Sequence, residues 1–254
     1  MMRSPLLLSL MGKAVAFFIW RATGSLVVPA LFFFGPDLLI LYHIFVPSSQ
    51  GLGRVVTRFA TEKDEVWLTI DDGPDAQDTP RILDLLDRHG ARATFFLIGE
   101  RAAQSPLLVA EIIRRGHEVG HHTHTHPLGS FWRATPATVR AEIDRGLAAL
   151  RAGGAHPQWF RPPVGIKNLF LDEVLVARGL RCVAWSVRSL DSVSGDPAEV
   201  ASRVMARLRP GSIVLMHEGP PVHPNVRVRA IECVLEALAA RRFACVLPAG
   251  AQLR

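Results

Sequence analysis

The chain has 254 residues, 49% of them apolar and 20% charged, which excludes a disordered chain and leaves enough length for one large domain with its own core. Its net charge of +6 comes from arginines scattered along expected helix ends and faces rather than gathered in a patch. That distribution argues against nucleic acid and fits an anionic membrane surface or a phosphorylated substrate. Three cysteines, Cys182, Cys233 and Cys245, lie in apolar runs without CxxC spacing, so neither a disulfide framework nor a thiolate zinc site is expected.

Residues 5–46 stand apart from the rest. "PLLLSLMGKAVAFFIW" and "GSLVVPALFFFGPDLLILYHIFVP" are apolar and are separated at Arg21. A span needs roughly 20 mostly apolar residues. Lys13 interrupts the first stretch, and Pro29, Gly35, Pro36 and Asp37 interrupt the second. No clean small-x-small cleavage site follows Arg3, and a cleaved signal does not require a second apolar stretch. Residues 1–47 therefore read as a retained membrane anchor, either a transmembrane hairpin or a single imperfect span. The competing reading is a buried helical pair packed on the domain. A hairpin puts Arg3, Arg54, Arg58 and Lys63 on one side and Arg21 on the other. The positive-inside rule then favours a cytoplasmic domain on a bacterial-type inner membrane. Residues 48–62, with their Ser, Gln and Gly, form a linker by composition.

From residue 63 to 254 the chain alternates strand-like and helix-like pieces. "EVWLTID" is a strand. "TPRILDLLDRHG" is a helix with Thr79 as cap, Pro80 at its first position and Gly90 as stop. "ATFFLI" is a strand, "SPLLVAEIIRRG" repeats the helix punctuation, and Thr135 opens a third such helix. "QWF" and "RCVAWSV" are strands, with a helix capped by Asn168 between them. Asp196 caps the next helix, "SIVLMH" is a strand, "NVRVRAIECVLEALAARR" is a long helix, and "ACVLP" closes the pattern. About seven βα units imply a parallel sheet, open or closed into a barrel, with its active site at the C-terminal strand ends.

The polar residues at those ends carry the chemistry. "TIDDGPD" places Asp71 and Asp72 before a Gly-Pro turn. On an extended chain they point apart, but at a turn both reach one cavity from different angles. "GHEVGHHTHTHP" holds half of the chain's 10 histidines: His117, His121, His122, His124 and His126. Imidazole and carboxylate suit a zinc-type ion that keeps one position open for water. Two ligand sets are available. His122 and His126 share a face if the segment is helical or coils tightly, and then need an outside carboxylate such as Asp72. His122, His124 and His126 share a face if it is extended.

These residues resemble the polysaccharide deacetylases with a NodB homology domain, carbohydrate esterase family four, over about residues 60–250. "TIDDGP" is similar to T-F-D-D-G-P, "GHEVGHHTHTHP" to G-H-x-x-[GA]-N-H-T-x-x-H-P, and "RPPVG" to R-P-P-Y-G. "WSVRSLDS" resembles W-D-x-D-x-x-D-W, and "IVLMHEG" resembles I-x-L-x-H-D. The resemblance implies a distorted (β/α) barrel and hydrolysis of an N-acetyl group on an amino sugar. It implies a divalent metal, zinc in the first place, on Asp72, His122 and His126. Asp71 is then the general base and His217 the general acid. Arg161 and Asp191 hold the polar network. The backbone N–H of Val164 would stabilise the oxyanion, with Pro163 and Trp185 beside the substrate. The implied partner is an N-acetylated saccharide; the apolar N-terminus and basic charge point to a lipid-linked or membrane-adjacent one, with cell-wall or exported polysaccharide as the second choice. An O-acetyl esterase, a deformylase and a non-catalytic saccharide-binding module are the alternatives on the same scaffold. A metal-buffering protein using the histidine run is a third class.

Three departures fall outside the catalytic set. Val164 replaces the usual tyrosine, Ser186 and Arg188 stand where aspartates are common, and Ser192 stands where tryptophan is common. An active enzyme with an altered substrate groove is expected, one poorly suited to long polymers.

Overall fold

The computed structural model describes residues 4–253. Helices α1 (Ser4–Thr23) and α2 (Val27–Phe45) pack against each other across the turn at 24–26. At 1.5 Å per residue each is about 30 Å long, the thickness of a bilayer core. Both are apolar enough to cross a membrane, and only 17% and 11% of their apolar windows are buried. Phe18, Val27 and Leu31 are 69–75% exposed, so the pair is not buried on the domain. The two charges that interrupt the apolar stretches meet each other: Lys13 Nζ donates to Asp37 Oδ2 at 2.8 Å. Such pairing lowers the cost of holding either charge among lipid.

Nine strands form one parallel sheet: β1 (Val55–Val56), β2 (Glu65–Gly73), β3 (Ala93–Leu97), β4 (Glu118–His121), β5 (Trp159–Phe160), β6 (Arg181–Val183), β7 (Val187–Arg188), β8 (Ser212–His217) and β9 (Ala244–Cys245). Helices α3 (Asp78–Arg88), α4 (Gly99–Gln104), α5 (Pro106–Arg114), α6 (Pro136–Ala152), α7 (Leu171–Val176), α8 (Pro197–Arg207) and α9 (Arg227–Ala240) alternate with them. The strand order is β1-β6-β5-β4-β3-β2-β8-β7, with β9 on β2. β6 and β7 lie near opposite ends of that order, yet they are consecutive in the chain. Extended backbone from Val183 to Val187 spans at most about 14 Å. The sheet must therefore curl until its ends nearly meet, as a distorted half-barrel. The connecting segment straddles the gap: Ala184 N donates to Val56 O on one side, and Ser186 N donates to Ile213 O on the other.

Four local expectations change: Asn168 does not cap the helix that begins at Leu171, its Oδ1 accepting from Phe170 N just ahead of it. "RCVAWSV" is two strands, because Trp185 and its neighbours cross this gap. Residues 48–62 are not a free linker: Val55–Val56 pairs with β6, and Phe59 is buried in the core. Thr79 does not cap α3. Asp75 Oδ1 accepts from Gln77 N and Asp78 N, so the helix begins before Thr79. Thr135 and Asp196 do cap, accepting from Thr138 N and Ala198 N.

Alternation along β2 sorts the layers. Val66, Leu68 and Ile70 face outward and pack with Ile82 and Leu86 of α3 and Ile231 and Val234 of α9. Trp67 faces inward, in the core cluster of Phe96, Trp159, Val183 and Ile213. Thr69 and Asp71 continue the inward face toward the C-terminal strand ends. The barrel is therefore plugged by aromatics and opens upward into polar side chains.

Candidate active site

Asp71 ends the inward face of β2, in direct register with His217 of β8. Asp72 would point the other way on a regular strand. The register shifts between Asp71 and Gly73, and Asp72 adopts φ 73°, in the left-handed region that Asp tolerates better than most residues. The bulge turns its carboxylate into the same cleft.

The histidine run is neither helix nor strand beyond His121. Left-handed residues at Thr123 (φ 62°) and His126 (φ 55°) coil it into a tight loop. Thr123 braces that loop, donating to His122 O at 2.6 Å and accepting from His126 N at 3.1 Å. Glu142 of α6 accepts from the N–H groups of His124 and Thr125. As a result His122 and His126 stack with ring centroids 4.8 Å apart. Their Nε2 atoms lie 3.5 and 3.2 Å from Asp72 Oδ1. The other three histidines go elsewhere. His121 is fully buried between Ile143 O and Thr123 N, His117 accepts from Ala93 N, and His124 packs against Gly99.

The set of Asp72, His122 and His126 fits a divalent ion. Their ligand atoms all lie within 4.8 Å of one another. Asp72 Oδ1 is buried with no hydrogen-bond partner, which a structure rarely tolerates. His122 Nδ1 donates to Arg161 O at 2.7 Å, which leaves the Nε2 lone pair facing Asp72. Burial raises the Asp72 carboxyl, but the surrounding histidines outweigh it and hold the group down at about 2. Burial pushes His126 down to about 4. Both groups are thus in their ligating protonation states at neutral pH.

Behind the floor lies a fully buried arginine. Arg161 donates to Asp71 Oδ1 (2.6 Å), Thr69 Oγ1 (2.9 Å), Val183 O (3.1 Å) and Ala184 O (3.0 Å). Its guanidinium stacks 4.1 Å above Phe96. Asp191 plays the matching part behind His217. Its two oxygens take His217 N and Nδ1, both at 2.7 Å. Burial alone would lower His217. The Asp191 carboxylate, joined by Asp71 and Asp72, reverses this and holds the imidazolium to about 9.

A cleft of about 390 Å³ opens above these groups, lined also by Arg101, Leu128, Val164, Trp185, Arg188 and Ser192. Val164 sits at φ 49°, with its N–H donating to no backbone acceptor among the described residues, while Gly165 and Ile166 donate to Pro162 and Pro163. Pro163, expected beside the substrate, is buried and does not line the cleft, whereas its neighbour Val164 does. Arg161 and Asp191 support the lining rather than join it. Arg101 is a cleft residue that the sequence reading missed. It follows the end of β3, so the strand-end rule applied to "ATFFLI" would have reached it.

Comparison with known proteins agrees with this geometry. The sequence model for polysaccharide deacetylase matches residues 59–183. A chitooligosaccharide deacetylase of Bradyrhizobium sp. (strain ANU 289) is 37% identical over 190 residues, covering 70% of this chain and 86% of the relative. A peptidoglycan-N-acetylglucosamine deacetylase of Bacillus cereus is 35% identical over 179 residues, covering 69% and 64%. The crystal structure of the Bc1960 peptidoglycan N-acetylglucosamine deacetylase superposes with a TM-score of 0.70 at 32% identity, over 76% of this chain and 89% of that one. On motif order, fold and this level of identity together, the chain belongs to the polysaccharide deacetylase family.

Proposed function

We propose that the protein is a metal-dependent carbohydrate deacetylase that removes the N-acetyl group from an amino sugar of a polysaccharide or lipid-linked saccharide. The observation that carries this is the register of Asp71 beside His217, with the ligand set of Asp72, His122 and His126 in the same cleft. When bound there, a divalent ion, assigned as zinc, supplies Lewis acidity toward the acyl carbonyl and toward water.

The chain's own residues divide the remaining work. Arg161 holds Asp71 Oδ1, which leaves Oδ2 free to take a proton from the attacking water. The water oxygen bonds to the acyl carbon, and the Val164 N–H donates to the oxyanion. His217, kept protonated by Asp191, gives its proton to the leaving nitrogen as the carbon–nitrogen bond breaks. Free amine and acetate result. Trp185 and Val164 flank the sugar.

Residues 1–47 act as a membrane hairpin and the barrel as the catalytic domain. Arg54, Arg58 and Lys63 follow α2, while Arg21 marks the opposite end of the hairpin, which favours a cytoplasmic barrel at a bacterial-type inner membrane. Arg3 lies outside the described residues. The test is acetate release from an N-acetylated oligosaccharide by the full chain. Chelation should abolish it, zinc should restore it, and Asp71→Asn should lower kcat by about 10²–10⁴-fold. Equal turnover by Asp71→Asn would overturn the reading.

A further inference from the structure

The hairpin does more than tether the barrel. Its exit is built into the cleft wall. Lys167, only 3% exposed, donates its backbone N–H to Ile44 O at 3.0 Å. Its ammonium donates to Val46 O at 2.6 Å and Pro47 O at 3.1 Å. The ammonium holds the two carbonyls that follow the end of α2, and burial leaves it little freedom to move. Phe45 packs on Trp132 with centroids 5.4 Å apart. Pro47 presses on Gly165 so closely that a Cβ there would stand 2.8 Å from the Pro47 ring and 2.5 Å from Trp185. Gly165 and Trp185 line the cleft. The chain thus passes from an apolar helix directly into the wall of the candidate active site. The rim beside it is apolar as well: Leu128 is 55% exposed and Val164 48%.

The charge of the cleft is the second observation. Its two carboxylates are committed, Asp71 to Arg161 and Asp72 to His122 and His126. Two cleft arginines have no carboxylate partner among the described residues. Arg101 donates one N–H to Asp72 O, while Arg188, on β7, is exposed and makes no side-chain hydrogen bond among the described residues. An uncharged saccharide offers neither of them an anion. A phosphate matches the planar donor fork of arginine.

We infer that the cleft takes an N-acylated amino sugar joined through a phosphate to a membrane lipid, with Arg188 holding the phosphate and residues 44–47 bringing the lipid end to the bilayer. This rests on the deacetylase reading above and specifies its substrate.

The test uses the full chain in lipid nanodiscs and three acetylated probes. These are a polyprenyl-phosphate-linked N-acetylhexosamine, the same sugar 1-phosphate without lipid, and an uncharged N-acetylated chitooligosaccharide. The expected order of kcat/KM is lipid-phosphate sugar, then sugar phosphate, then oligosaccharide. Arg188→Ala should narrow the preference for phosphorylated over uncharged substrate by about ten- to a hundred-fold, the loss a charge-assisted hydrogen bond produces. Arg188→Lys should restore part of it. Three results overturn the inference while leaving the deacetylase reading intact. One is a chitooligosaccharide turned over as well as either phosphorylated probe. Another is an unchanged preference in Arg188→Ala. The third is a sugar 1-phosphate as good as its lipid-linked form, which removes the membrane part. Acetate from none of the three overturns both.

Discussion

Asp71 and Val164 line the same cleft in opposite circumstances. Asp71 is 3% exposed and fixed by an arginine that itself makes four hydrogen bonds. Val164 is 48% exposed and held only by the turn around it. The contrast extends to their neighbours. Floor residues Asp72, His122 and His217 each face a partner from another strand or loop, whereas Arg188 and Leu128 on the rim face water. A buried polar network tolerates no single replacement, since each change strands its partner without a hydrogen bond. A rim position carries no such constraint. The family's motifs survive at the floor and depart at Val164, Arg188 and Ser192 on the rim, and at Ser186, whose hydroxyl accepts from Ile213 N off the cleft. On the proposed mechanism, the reaction is set by one layer and the choice of substrate by the other.

The largest expected effect probes the floor where it is most tightly coupled. Arg161→Leu leaves the Asp71 carboxylate buried without its cation, which should cost about 3–5 kcal/mol of stability in a urea unfolding experiment. Adding Asp71→Asn to the same chain should recover much of that loss, because the stranded charge is gone. A cost below about 1 kcal/mol for Arg161→Leu would show that the floor is no more constrained than a surface ion pair.

Next is the ligand set. His126→Ala should empty the metal site in elemental analysis of the purified protein, and His124→Ala should leave it filled. The two residues are a dipeptide step apart, and only His126 faces Asp72. Equal loss of metal in both variants breaks the two-histidine assignment and returns the extended, three-histidine alternative.

A smaller, directional effect is expected from Asp191→Asn. His217 is raised to about 9 because the Asp191 carboxylate overrides burial. A raised histidine contributes stability that is complete below its unfolded value of about 6.5 and is lost as pH rises through about 9. Activity that needs the imidazolium should fall over the same limb. Without the Asp191 charge, burial dominates and the alkaline limb should move down toward or below about 6.5. An unmoved limb would mean that another group sets it.

What was legible in the sequence follows the same division. The inward alternation of Trp67, Thr69 and Asp71 and the spacing of His122 and His126 are local patterns, and local patterns survive into structure. The ligand pair itself was legible only as one of two options, because the backbone of Thr123 and His126 leaves both regular geometries. Residues whose role depends on distant partners gave no such signal. Glu142 acts eighteen positions from His124, and Lys167 more than a hundred from Val46. The break between β6 and β7 was hidden for the same reason: an apolar run reads alike whether it stays in one strand or crosses a gap. The interrupting charges Lys13 and Asp37 looked like defects singly and make sense only as a pair.

The smallest effect tests the rim alone. Val164 is a β-branched residue at φ 49°, a conformation that costs an L-residue about 1–2 kcal/mol and that glycine adopts freely. Nearly half of its surface is exposed, so little burial is lost by removing the side chain. Glycine also loosens the unfolded chain, by roughly 0.5–1 kcal/mol. Val164→Gly should therefore raise stability by at most about 1 kcal/mol. The side chain earns its strained position only through what passes the rim, so the change should appear in KM rather than in kcat. If instead kcat falls a hundred-fold at unchanged KM, the backbone conformation that the valine fixes belongs functionally to the floor, as the oxyanion role proposed for its N–H requires, and the division between the two layers moves by one residue.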